Sequence, residues 1–275
     1  MASEGSPVLQ RSPTTVQTTI NSEDESRKWY SVQWADLKLC SRRLRDVSTP
    51  HPRLPICLYV LYRFIVAAYF LFVLIIYYGL LGMFVGPKFL IYFDIWTFLT
   101  ATCYVCFAFL NAAFDFPKSR RNATLEDKFR YQIQWFLFYV TAVDCIIVFI
   151  FDWWYWFHTG MEEYDGVINL FSVSSIALPV GVCLIEIFLT LIVVRFVHVV
   201  YPLSYLFVYL LYTVIYLAAG DTDIFGNHFS FFFLDFKNHP GIAAATTVGA
   251  TFAAVLAQAI LKGLYALRVR CMDSE

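Results

Sequence analysis

A chain of 275 residues with 59% hydrophobic, 19% aromatic and only 15% charged side chains holds more apolar surface than a soluble domain of that size can bury. Its mean hydropathy of +0.61 agrees. The formal net charge is −1, and no nucleic-acid partner or cofactor is expected. The expected solvent is lipid.

Residues 1–28 are rich in Ser and Thr and poor in large apolar groups, so they cannot offset their ordering entropy and are expected to form a disordered cytosolic tail. They hold no apolar signal-peptide core, which leaves the first membrane helix as the insertion signal. Residues 29–54 form a basic juxtamembrane segment. Tyr30, Trp34, Leu37 and Leu44 recur near helical spacing beside Lys38, Arg42, Arg43 and Arg45, as in a helix lying on an anionic leaflet; a solvated basic linker is the alternative.

A bilayer core about 30 Å thick needs roughly 20 apolar residues in a helix rising about 1.5 Å per residue. Six runs qualify, at about 62–84, 89–111, 131–153, 167–191, 199–219 and 241–264. The fold class is therefore all-α: an integral membrane bundle of six transmembrane helices over 55–267, followed by a short cytosolic tail, 268–275. Of the 20 Lys and Arg residues, 18 fall in the termini, connections or adjoining run ends on one side and only Lys88 and Lys237 on the other, which places both termini in the cytosol. The aromatic burst DWWYWFH (152–158) then sits at the outer end of the third helix.

None of the seven cysteines lies in an outer loop, so no disulfide framework is expected. Cys103-x-x-Cys106 is half a metal site without partner ligands, and no metal is expected there. Cys57 and Cys271, beside membrane ends, are candidates for palmitoylation. The sequon Asn122-Ala123-Thr124 falls in a cytosolic connection and should stay unmodified.

Polar residues inside a bilayer are costly and therefore informative. In the second helix Asp94, Thr97, Ala101, Tyr104, Ala108 and Asn111 share a stripe; Gln134, Thr141 and Asp144 do so in the third, and Ser172, Ser175, Pro179, Cys183, Glu186 and Thr190 in the fourth. Asp94, Thr97, Tyr104, Thr141, Asp144, Ser172 and Ser175 are the candidates for one polar cavity. Asp94 at about 8 Å and Asp144 at about 14 Å from the outer surface could share a proton or a cation. Hydrogen bonding to neighbouring hydroxyls is the plainer alternative. Glu186, near the cytosolic end of its helix, is expected to anchor there through a salt bridge to Arg195. Pro179 is expected to bend that helix, and Gly249, Ala253 and Ala257 to pack closely in the last one.

The stretch VVRFVHVVYP (193–202) separates two apolar runs. Arg195 is expected to reach the cytosolic interface, His198 to hydrogen-bond near a helix start, and Pro202 to occupy a first turn. The alternative is a lipid-headgroup site built from Arg195, His198 and Tyr201.

The run VRFVHVVYP (194–202), then Tyr209, Tyr212 and Tyr216 leading to AAGD (218–221), DIFGN (223–227) and LDFKNHPG (234–241), resembles the rolling stone family of animal multi-span membrane proteins. LYRFIVAAYF (61–70) and KFLIYFDIW (88–96) are similar to that family's first two spans, and the resemblance runs from about 58 to 265. It implies an integral membrane protein whose founding relative is associated with myoblast fusion. More distantly it is similar to the androgen-induced group, some members of which hydrolyse fatty-acid esters with an intramembrane threonine and histidine. At the threonine position this chain has Asp94, with Thr97 the nearest threonine and only a weak catalytic candidate. At the histidine position it has Val173 or Ile176, and no histidine lies between His158 and His198.

Three functions follow as expectations: a non-enzymatic protein of cell-surface organisation or cell fusion, an intramembrane lipid-ester hydrolase with altered catalytic groups, or a proton- or cation-coupled channel or transporter. The first leads. Its expected partners are membrane lipids and cell-surface proteins, and its expected location is the plasma membrane, since the C-terminal CMDSE carries no retrieval signal.

Overall fold

The computed structural model describes residues 48, 50, 54–115, 125–159, 166–220, 222, 234–235 and 238–272. All of them belong to one compact unit, Leu39–Glu275. The tail, the amphipathic segment around Trp34, the Asn122 sequon and the side chains of residues 154–158 lie outside the described residues.

The regular elements of the described chain are all helical, beside one isolated antiparallel bridge between Pro50 and Thr190. Helix α1 (Ile56–Val73) runs through a π-helical turn, Leu74–Tyr78, into α2 (Gly79–Val85). A 3-10 turn, Gly86–Ile91, reverses the chain into α3 (Phe93–Asp115). Then follow α4 (Leu125–Thr159), α5 (Gly166–Leu189), a second 3-10 turn at Phe196–Val199, α6 (Val200–Ala218) and α7 (Pro240–Met272).

Helix ends coincide with the punctuation in the sequence. Gly86, at φ 69°, closes α2 in a conformation that only glycine adopts without strain. Pro240 opens α7, where a missing N–H costs nothing. Just before it, the Asp235 carboxylate accepts from the Asn238 N–H at 2.9 Å and from its side-chain amide at 2.8 Å, so the Asp235 side chain fixes Asn238 two residues ahead of the helix.

Five helical segments are long and apolar enough to cross a membrane: Ile56–Ile76, Phe93–Asp115, Phe129–Trp153, Phe196–Ala218 and Pro240–Cys271. Helix α5 has 24 residues, with an apolar described portion at Ala177–Leu189. Met83, Phe84, Val248 and Phe252 are left at least 69% exposed on the outside, which is stable only if the surroundings are apolar.

Helix α4 is the axis of the bundle and packs against α3, α5, α6 and α7. Two thirds of its apolar window (67%) is buried, against 22% for α6 and α7. The helices alternate in direction, so one end carries Arg63, Arg130, Arg195, Arg268 and Arg270, and the opposite end Lys88, Asp94 and Asp152. These are called the basic end and the far end below.

In α7 the packing face is Ala243, Ala254, Ala257 and Leu261, all buried. Gly249 points away, exposed, with nothing near the position a Cβ would take. The four-residue spacing drifts off the contact line because 3.6 residues make a turn.

Candidate functional site

Three polar levels lie along the α3–α4 pair and the helices packed on it. At the basic end the guanidinium of Arg63, on α1, meets the Glu186 carboxylate, on α5, at 2.6 Å, and both residues are about 1% exposed. Tyr62 donates to Glu186 Oε1 at 3.2 Å, and Arg63 donates to the Tyr59 hydroxyl at 2.7 Å. The guanidinium lies 5.0 Å from the Tyr59 ring and 6.0 Å from that of Tyr104 on α3, so its charge is met by two aromatic faces as well as by the acid. This corrects the expected Glu186–Arg195 bridge. Arg63 sits inside α1 with its charge turned into the bundle, not at the interface.

Around the 190–198 segment the backbone leaves α5 in an extended strap, and a buried strap must find partners for its peptide groups. Arg268 of α7 donates to the carbonyls of Ile187, Thr190 and Ile192, closing the C-terminal end of α5. The Tyr139 hydroxyl accepts from Arg195 N–H at 3.0 Å and donates to Val193 O at 2.8 Å. Gln258 Nε2 donates to Arg195 O at 2.7 Å. His198, fully buried, packs its ring against Tyr139 at 4.7 Å, Trp135 at 5.5 Å and Tyr201 at 5.6 Å. Tyr139→Phe removes one atom and leaves two part-buried backbone groups without it. The expected loss is about 2 kcal/mol, read as a lowered midpoint of thermal unfolding in detergent.

The α3–α4 alignment follows from three contacts: Tyr131 donates to Asp115 at 2.8 Å, Asn111 donates to Gln134 at 2.8 Å, and Tyr104 lies 5.7 Å from Phe138, centroid to centroid. Two turns further toward the far end, Thr97 is level with Cys145. Thr97, Thr141 and Asp144 are each at most 3% exposed, and the Asp144 carboxylate lies within electrostatic reach of Tyr205 on α6. Tyr205 in turn hydrogen-bonds Thr100 at 2.7 Å.

At the far end Asp94 lines a cavity of about 60 Å³ between α3, α4, α6 and α7. Asp152 of α4 lines it too. Asp144 belongs to the level below, so the acid that shares Asp94's surroundings is Asp152. The proposed common cavity is thus resolved into levels: Tyr104 joins the basic-end ion pair, Thr97, Thr141 and Asp144 lie at mid-depth, and Asp94 is at the far end. Ser172 and Ser175 are on α5, but their side chains are outside the described residues.

The tyrosines of the sequence motif have structural partners. Tyr209 donates to Ile91 O at 2.8 Å, Tyr216 to Thr222 O at 3.3 Å, and Tyr212 stacks 5.1 Å from Trp96. Sequence reasoning missed Arg63, Tyr139, Asp152, Gln258 and Arg268 as site residues. For the two arginines the available signal was a cation placed within an apolar helical run.

Among the described residues no group of three or more His, Cys, Asp or Glu side chains converges as a metal site would require. Described cysteines are free, with Cys57 and Cys271 exposed at the basic end.

The family described as protein rolling stone matches residues 53–273. The curated Drosophila melanogaster protein of that name is 28% identical over 220 residues, covering 77% of this chain and 78% of the fly protein. No solved structure matches. Buried arginines in apolar helices, the tyrosine-lined α6 and the Asp235 turn thus lie within the matched region, and the chain is a multi-pass membrane protein that belongs to the rolling stone family.

Proposed function

We propose that the protein is a non-enzymatic membrane protein of cell-surface organisation or cell fusion, with six helices crossing the plasma membrane and both termini in the cytosol. The single observation behind the non-enzymatic reading is the separation of Thr97 from His198. His198 packs against α4 at Trp135 and Tyr139, whereas Thr97 is level with Cys145, on the order of 9 Å further along the helix axis. A general base must come within hydrogen-bond reach of its nucleophile, and this spacing denies it. Clustering of arginines at one end supports the orientation. Protein partners at the surface and an association with fusion follow from what the family resemblance implies.

Three measurements on the full chain test the proposal. Purified protein, offered a panel of lipid esters, is expected to release no fatty acid; release that is lost in Thr97→Ala would make it a hydrolase instead. Surface biotinylation is expected to recover it from intact cells, and a two-colour cell-mixing assay to change when it is depleted. Recovery only from internal membranes removes the cell-surface role.

A further inference from the structure

We propose that the far-end cavity holds the end of one acyl chain of a membrane phospholipid, entering between α6 and α7. Its walls decide the class of occupant. Phe93, Ile147, Val148, Phe151, Leu206 and Leu234 are among the residues that line it, and the lining is apolar over nearly all of its surface. Such walls bind water poorly, because a buried water needs several polar partners. No Lys, Arg or His is among the lining residues, so a phosphate headgroup finds no cation there and the hydrocarbon chain is the part that fits.

The mouth borders lipid. Leu206 and Leu210 of α6 and Thr247 and Ala250 of α7 line the cavity, whereas Phe207, Leu211, Val248 and Phe252 beside them are at least 50% exposed on the outside of the bundle. Polarity is graded along the cavity. Asp94 and Asp152 lie at the end nearer the membrane surface, while Ile147 is about 7 Å deeper than Asp152, and Ala250 about 6 Å deeper than Thr246. A chain of the far leaflet has the same gradient, with its carbonyl end toward the surface and its methyl end toward the midplane. Removal from water is not the gain, since a chain in the bilayer is already dry. The gain is contact: wall atoms of a recess acquire the neighbours that dispersion requires. At about 60 Å³ the cavity takes a short run of carbons, and the rest of the chain stays in the bilayer through the open side. Thr97 and His198 are not among the lining residues, so the chain is held away from the weak catalytic candidate. The site does not depend on the cell-surface reading.

The test uses the full-length protein in membranes containing phosphatidylcholine with a diazirine near the methyl end of one acyl chain. One sample is illuminated in the membrane, and another after extraction and washing in digitonin, whose rigid ring system is too large for the cavity. Labelled residues are mapped by mass spectrometry. In the membrane, label is expected at the cavity and on the exposed Phe207 and Phe252. After washing, label should persist at Leu206, Leu210 or Ala250 and be lost from Phe207 and Phe252. Ala250→Leu and Thr246→Phe each fill the cavity and should abolish the persistent label while leaving the membrane-stage label on Phe207 and Phe252. Loss of the cavity label on washing the wild type overturns the proposal whether or not the variants fold. So does a persistent label at these positions in either folded variant.

Discussion

Arg63→Ala is expected to destabilise the bundle by about 3–5 kcal/mol, because it strands the Glu186 carboxylate in the interior with its cation gone. Glu186 is 1% exposed, and the remaining phenols cannot neutralise it. Glu186→Ala should cost a similar amount by leaving the guanidinium unpaired. The double variant Arg63→Met with Glu186→Leu removes both charges, and should recover most of the loss or exceed the wild type, since apolar replacement of a whole buried pair often stabilises by about 1–4 kcal/mol. Unfolding in mixed micelles measures all three. Single variants within about 1 kcal/mol of the wild type would mean that the pair is solvated, contrary to the burial of both partners.

Arg268→Leu carries the second large effect. The two N–H groups of one guanidinium nitrogen are shared among three backbone carbonyls around the end of α5, and the substitution leaves all three buried without them. Losing a charged donor to even one buried carbonyl costs about 1.5–3 kcal/mol, so the total is expected to reach about 3 kcal/mol or more. The disturbance should be local. Proteolysis or hydrogen exchange is expected to increase first in the 190–195 strap, while α1 to α3 stay protected. Uniform exchange along the chain would instead point to loss of the whole fold.

Helices were legible from composition because lipid imposes one requirement on every span: backbone groups must be satisfied within the helix, so long apolar runs have one outcome. The buried stripe of α3 was legible for a related reason, since Thr97, Ala101, Tyr104, Ala108 and Asn111 recur at helical spacing and all are buried. Likewise Gly86 and Pro240 marked helix ends through local backbone chemistry that needs no distant partner.

Pairings were decided elsewhere. Arg63 and Glu186 are 123 residues apart, and Arg268 closes a helix end 78 residues before it. Periodicity assigns a residue to a face of its own helix and says nothing of which neighbour that face meets. Depth counting set Asp94 beside Asp144, whereas the α3–α4 alignment and the cavity set it beside Asp152, which the sequence showed only as the first letter of an aromatic run. The sequence alone determined that this chain lives in lipid and roughly which stretches are helical, because that follows from local solvation, whereas α1, α4 and α7 run six or more residues past the apolar runs at one end or both. Which charge neutralises which was settled only by tertiary structure, because a Coulomb partner is chosen by distance in space.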